Sequence, residues 1–133
     1  MSLKIVSIQS KGDANKEFIL LQATGNIDLE DYMVADRTFT KDGEISNVHR
    51  HTFRFPSVKT SKNDYVALYT RKGTAGIGVP HEGKVFHIFY WNSDKAIWND
   101  GEVEQAELLR VETIDKKTVG LKLPPPPKKV KYF

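Results

Sequence analysis

The sequence predicts an all-β chain, an antiparallel sandwich of about seven to nine short strands. Three observations carry this. Segments rich in Val, Ile, Phe and Tyr recur along the chain, with turn chemistry about every ten residues. Several alternate apolar and polar residues with a period of two. At least one, 17–23 (EFILLQA), is apolar on both faces and so needs cover on both sides, which a second packed sheet supplies.

The segment 51–70 seeds the arrangement. His51, Phe53 and Phe55 alternate with Thr52 and Arg54, and Pro56 ends the run because it brings no N–H to a ladder. Lys62-Asn63-Asp64 is turn chemistry. Tyr65–Tyr69 follows as a strand with Tyr65, Ala67 and Tyr69 on one side and Val66 and Leu68 on the other. The two are expected to pair as antiparallel neighbours.

In chain order, Leu3–Ile8 is a β-branched first strand, and 11–15 (KGDAN) turns into the strand 17–23. Residues 27–31 (IDLED) connect to the strand Tyr32–Ala35, and 41–44 (KDGE) is a hairpin-like turn. The longest loop is 71–84, with Gly73, Gly76, Gly78, Pro80 and Gly83. It is expected to run over the surface, where it could touch a partner. A flexible surface loop is a plainer reading than a phosphate loop, because no Gly-Lys-Ser/Thr opens a helix there. Val85–Trp91 is the next strand, and Trp98-Asn99-Asp100-Gly101 is a turn with an aromatic anchor. Glu102–Arg110 is read as a strand, and Thr118–Leu123 closes the body. The predicted core is Val6, Ile8, Phe18, Leu20, Val34, Phe53, Phe55, Val66, Leu68, Phe89, Trp98, Leu108 and Leu109. The body 1–123 is one domain. Residues 124–133 form a proline- and lysine-rich tail expected in polyproline II.

Composition removes several classes of function. Without cysteine there is no disulfide framework, thiolate catalysis or zinc–thiolate site. No apolar run reaches the ~20 residues of a membrane helix, and no signal-peptide core opens the chain. This favours the cytoplasm, and leaves secretion open if Met1-Ser2-Leu3 replaces a removed signal. The last ten residues hold Lys128, Lys129 and Lys131 and no acid, which matches the whole +3 surplus. A nucleic-acid face on the neutral body therefore has little electrostatic support.

The ordered pieces resemble the lamin-tail domain family. These are Glu17-Phe18-Ile19-Leu20-Leu21, Asp28-Leu29-Glu30-Asp31-Tyr32-Met33-Val34, Phe53-Arg54-Phe55-Pro56, Asp64-Tyr65-Val66-Ala67-Leu68, Trp98-Asn99-Asp100-Gly101 and Ala106-Glu107-Leu108-Leu109. Their order and spacing over about Leu3 to Leu123 carry the likeness. Asp31 and Tyr32 stand where the family usually has Gly and Trp, and Lys62-Asn63-Asp64 replaces a Gly-containing turn. The chain is thus similar to a distant, non-animal member. The resemblance implies an immunoglobulin-like sandwich acting as a non-catalytic interaction or scaffolding module, with no cofactor, no catalytic residue to transfer, and a protein as partner.

Two other functions find some support in the sequence. His49 and His51 at i, i+2 share one strand face, and with His87 they could ligate zinc in a metal-dependent enzyme or sensor. A His51 that simply continues the Phe53/Phe55 row is the plainer reading. The basic tail could bind a polyanion or nucleic acid in a salt-dependent way. The acids from Asp28 to Glu44 have no spacing that pairs two of them, and no Gly-x-Ser-x-Gly elbow supports a hydrolase.

The strand 85–91 is the most informative. Val85, His87, Phe89 and Trp91 point one way and Phe86, Ile88 and Tyr90 the other. One set must lie outside its sheet as an aromatic ridge, of the kind that marks an interaction site. The candidate binding residues are Phe86, Tyr90 and Trp91, together with Tyr132 and Phe133 of the tail. The tail is expected to dock on an aromatic surface, in its own chain or in a neighbour's. A homodimer through tail or edge-strand contacts is one consequence. No metal ligand set is assigned.

Overall fold

The computed structural model describes residues 2–39, 45–78, 83–98 and 104–120, the side chains of 38–39, 45–50 and 104 lying outside that description. The described chain is almost entirely β. Its strands are β1 (Leu3–Gln9), β2 (Phe18–Ala23), β3 (Ile27–Asp28), β4 (Tyr32–Phe39), β5 (Ile45–Arg54), β6 (Lys59–Thr60), β7 (Tyr65–Tyr69), β8 (Gly76–Ile77), β9 (Phe86–Tyr90) and β10 (Glu104–Arg110). A five-stranded sheet has the order β1-β2-β7-β9-β8, a three-stranded sheet the order β10-β4-β5, and β3 pairs with β6 as a short ribbon. The two larger sheets sandwich one core. Ile19, Leu21, Val66, Leu68 and Phe89 come from the first sheet, Tyr32 and Val34 from the second, and Phe55, Ile97 and Trp98 from flanking segments.

The pairing is mostly antiparallel, with one exception. β7 and β9 run parallel, from Tyr65 opposite Phe86 to Tyr69 opposite Tyr90. A parallel pair needs a crossover of a dozen or more residues, and the segment 71–84 is that crossover. It also lays β8 along the far edge of β9, with Gly76 opposite Ile88. The glycine-rich loop is thus partly a strand. Its glycines make room where it passes the sheet: a Cβ on Gly73 would stand 2.5 Å from the Tyr90 ring.

The expected pairing of 51–55 with 65–69 is not found. β5 pairs with β4 in one sheet, while β7 lies between β2 and β9 in the other. The chain between them crosses from sheet to sheet through β6, so the turn at Lys62-Asn63-Asp64 redirects the chain without closing a hairpin.

The expected core needs a change of face in β2. Ile19 and Leu21 are fully buried, while Phe18 and Leu20 are half-buried on the outer face. An all-apolar strand carries no mark of which side faces in. The alignment of Ile19 with Leu68 and Leu21 with Val66 decides it. Val6 is also outside, 47% exposed, at a register shift between Ile5 and Ser7 on the edge strand. Ile8, Phe53 and Leu108 pack against the core from partly covered positions. Leu109 is half-buried on the opposite side of β10 from Leu108. Val34, Phe55, Val66, Leu68, Phe89 and Trp98 are buried as expected. Of the expected closing strand 118–123, residues 118–120 form no strand and are exposed, and 121–123 lie outside the described residues. The turn at 41–44 and the tail 124–133 lie outside the described residues.

Glu17 is fully buried. It stands just before β2, where its carboxylate gathers donors from three separate segments. Gly12 N–H donates to Oε2 at 3.1 Å, Thr70 Oγ1 to Oε1 at 2.6 Å, and the Ile97 N–H to Oε1 at 2.8 Å. The Trp98 N–H lies 3.3 Å from both oxygens. A carboxylate is an acceptor with about four lone-pair sites, and these donors match them. Glu17 therefore fixes the 10–16 turn, the end of β7 and the segment that carries Trp98.

Candidate interaction surface

The outer face of the five-stranded sheet follows from its register. On one line, Phe18 stands opposite Tyr69 and Tyr69 opposite Tyr90; on another, Tyr65 stands opposite Phe86. Between the lines run Leu20, Ala67 and Ile88. All are half-buried except Ala67, whose short side chain is covered by its neighbours.

The aromatic rings stack across the strands. Tyr65 and Phe86 are 4.8 Å apart and 20° from parallel; Tyr69 and Tyr90 are 5.6 Å apart and 24° from parallel. Phe18 leans on Tyr69 at 4.8 Å. Gly73 also passes close to the Tyr90 ring, where a Cβ would stand 2.5 Å from it. Each stacked pair thus turns one ring face to its neighbour. Among the described residues, no hydrogen bond engages the hydroxyls of Tyr65, Tyr69 or Tyr90.

Each ladder ends in a cation. The Arg71 guanidinium lies 5.2 Å from the Tyr69 ring centre and 5.5 Å from that of Tyr90. Lys84 Nζ lies 5.4 Å from the centre of Tyr65. The ring quadrupole attracts a cation placed this way.

The structure sorts the candidate residues. Phe86 and Tyr90 lie on this outer face, but Trp91 does not. Its ring contacts Phe53 at 5.9 Å, Trp98 at 5.8 Å and the edge of His51 at 6.5 Å, on the core side. Period-two alternation carries Trp91 with Phe89 rather than with Tyr90. Tyr132 and Phe133 lie outside the described residues. The missed members of the face are Phe18, Tyr65, Tyr69, Arg71 and Lys84. Tyr65 and Tyr69 were visible as one side of their strand; which neighbours they would meet was not.

The histidines do not gather. The His51 ring Nδ1 lies 3.0 Å from Asp36 Oδ2, and the His51 N–H donates to Asp36 Oδ1 at 2.7 Å. Asp36 is buried, while the imidazole is 45% exposed. In the same stretch Ala35 faces Thr52 and Arg37 faces His49, so β5 spends one residue more than β4. That bulge breaks the alternation that would place His49 and His51 on one face; the His49 side chain itself lies outside the description. His87 is in the other sheet, buried, with Nε2 3.2 Å from Asp64 Oδ2. Among the described residues, no group of three or more His, Asp or Glu side chains could hold a metal ion. Nor is any helix among them long and apolar enough to cross a membrane.

Comparison of the chain with family models, with curated proteins and with solved structures returned no match.

Proposed function

We propose that this chain is a non-catalytic protein-interaction module, an immunoglobulin-like sandwich of lamin-tail type, that binds through the outer face of its five-stranded sheet. One observation carries the reading: two stacked aromatic ladders, each with a cation over a ring, stand half-exposed on a sheet face whose opposite side is the core. Tyrosine and arginine are the residue types that supply most binding energy at protein interfaces. The family assignment rests on the ordered residues from Glu17 to Leu109.

The test is site-specific photocrosslinking in the source cell, with a benzophenone side chain at Phe86 on the proposed face or at Leu109 in the other sheet. A discrete crosslinked protein from Phe86 alone is the expected result. Equal capture from both positions would remove the assignment of the face.

A further inference from the structure

We infer that the occupant of this face is an extended acidic peptide segment of another protein, with two carboxylates four residues apart and an apolar side chain midway between them. The inference rests on the proposed reading of the outer sheet face as the binding surface, and names what that surface recognises.

The two cations set the spacing. Arg71 sits over the Tyr69–Tyr90 end of the parallel pair β7–β9, and Lys84 over the Tyr65–Phe86 end. The two ends are four residues apart along both strands, a rise of about 13 Å. An extended peptide has the same rise, so acids at i and i+4 reach both cations when it lies along the strands. Those residues and i+2 face the same way. Midway between the ladders the floor is Ala67, flanked by Ile88 and Leu20. Leu20 and Ile88 cover Ala67 and are themselves half-buried, so this line offers an apolar surface against which a side chain at i+2 can pack.

The sign of the partner follows from charge. Among the described residues neither Arg71 nor Lys84 pairs with an acid. The hydroxyls of Tyr65, Tyr69 and Tyr90 add donors that no group within the described chain uses. Donors and cations together call for carboxylates and peptide carbonyls.

Three other occupants fit less well. Single-stranded nucleic acid binds aromatic sheets by stacking bases on ring faces, and here Tyr65 and Phe86, and Tyr69 and Tyr90, already turn a face to each other, while the cations lie over the Tyr65, Tyr69 and Tyr90 rings. A second copy packed face to face would oppose like charges. The chain's own tail carries Lys128, Lys129 and Lys131, of the same sign as the rim.

The experiment selects binders to the full chain from a displayed library of random heptapeptides. It then measures by fluorescence anisotropy a synthetic heptapeptide with Glu at positions 2 and 6 and Ile at position 4. The selection is expected to enrich acids at two positions four apart. Replacing either Glu by Gln should weaken binding about tenfold, a usual loss for a charge-assisted contact. Arg71→Met should remove the dependence on one Glu and Lys84→Met on the other, with unchanged urea midpoints showing both variants folded. Enrichment of neutral or basic peptides whose binding is lost in Tyr65→Ser or Tyr90→Ser would overturn the acidic occupant and leave the interaction surface standing. Failure of any peptide to bind this face would overturn both. Tighter binding of oligothymidylate or of a 121–133 peptide than of the Glu peptide would overturn the inference. So would self-association in sedimentation that Arg71→Met abolishes.

Discussion

Replacing Glu17 by Ala tests whether one buried carboxylate joins the two ends of the fold. The substitution leaves three buried donors without a partner: the Thr70 hydroxyl and the N–H groups of Ile97 and Trp98. Gly12 is exposed, so its N–H can turn to water. An unsatisfied buried donor costs about 1–3 kcal/mol, and water entering the space left by the side chain offsets part of that. At the lower end for three donors, with the lost methylenes added, Glu17→Ala should destabilise by about 4 kcal/mol. At roughly 4 °C per kcal/mol for a domain of this size, the melting temperature should fall by about 15 °C. Glu17→Gln separates polarity from shape. Its amide oxygen can still accept from Thr70 and Ile97, while its NH₂ faces the Gly12 N–H as donor against donor. The cost should be about 1–2 kcal/mol. Urea unfolding followed by tryptophan fluorescence measures both, and the Ile97 and Trp98 amide shifts report the local loss. A Glu17→Ala cost below about 1 kcal/mol would refute the reasoning, since three buried donors cannot be abandoned so cheaply. Equal costs for Ala and Gln would also refute it.

Trp98 is 3% exposed and packs edge-on against Trp91; Trp98→Ala should cost about 3–5 kcal/mol in urea unfolding. With Trp91 replaced by Phe, Trp98 emission should be blue-shifted in the folded state, and a strongly red-shifted native spectrum would contradict this burial. For Gly73, the missing Cβ is what lets the crossover lie on the Tyr90 ring. Gly73→Ala should therefore cost about 1–3 kcal/mol by overpacking and broaden the Tyr90 ring resonances; unchanged stability and spectra would disprove the close approach. Asp28 has its pKa lowered: desolvation pushes it up, but hydrogen bonds from the Glu30 N–H and Ser57 hydroxyl and the nearby Lys59 ammonium outweigh that. A depressed folded-state pKa gives stability that is present above the unfolded value, near 3.9, and lost as pH falls through the folded value. Wild type should lose more stability than Asp28→Asn on acidification below about pH 4, and parallel pH profiles for the two proteins would exclude the effect.

The sequence alone determined the material of the fold. Strand positions, the absence of long helices among the described residues, and the burial of Phe55, Phe89 and Trp98 follow from local properties: period-two alternation, β-branched and aromatic residues, and turn chemistry. The two outward rows, Tyr65/Tyr69 and Phe86/Tyr90, were legible for the same reason. What the sequence did not determine was partnership. Whether Phe18 or Ile19 faces the core depends on the strand placed beside them, because both are apolar. The parallel pairing of β7 with β9 depends on where a fourteen-residue crossover leads, and glycine-rich composition reads equally as an open loop. Glu17 heads an apolar run with nothing nearby to mark it as buried; its partners at Gly12, Thr70, Ile97 and Trp98 meet it only after both sheets close. The bulge opposite Asp36 undid the His49/His51 spacing in the same way, since one extra residue reverses a face without changing any local propensity. The cations of the outer face are the last such case. Arg71 and Lys84 stand thirteen positions apart at opposite ends of one crossover, and only the parallel register of β7 and β9 sets them on one surface.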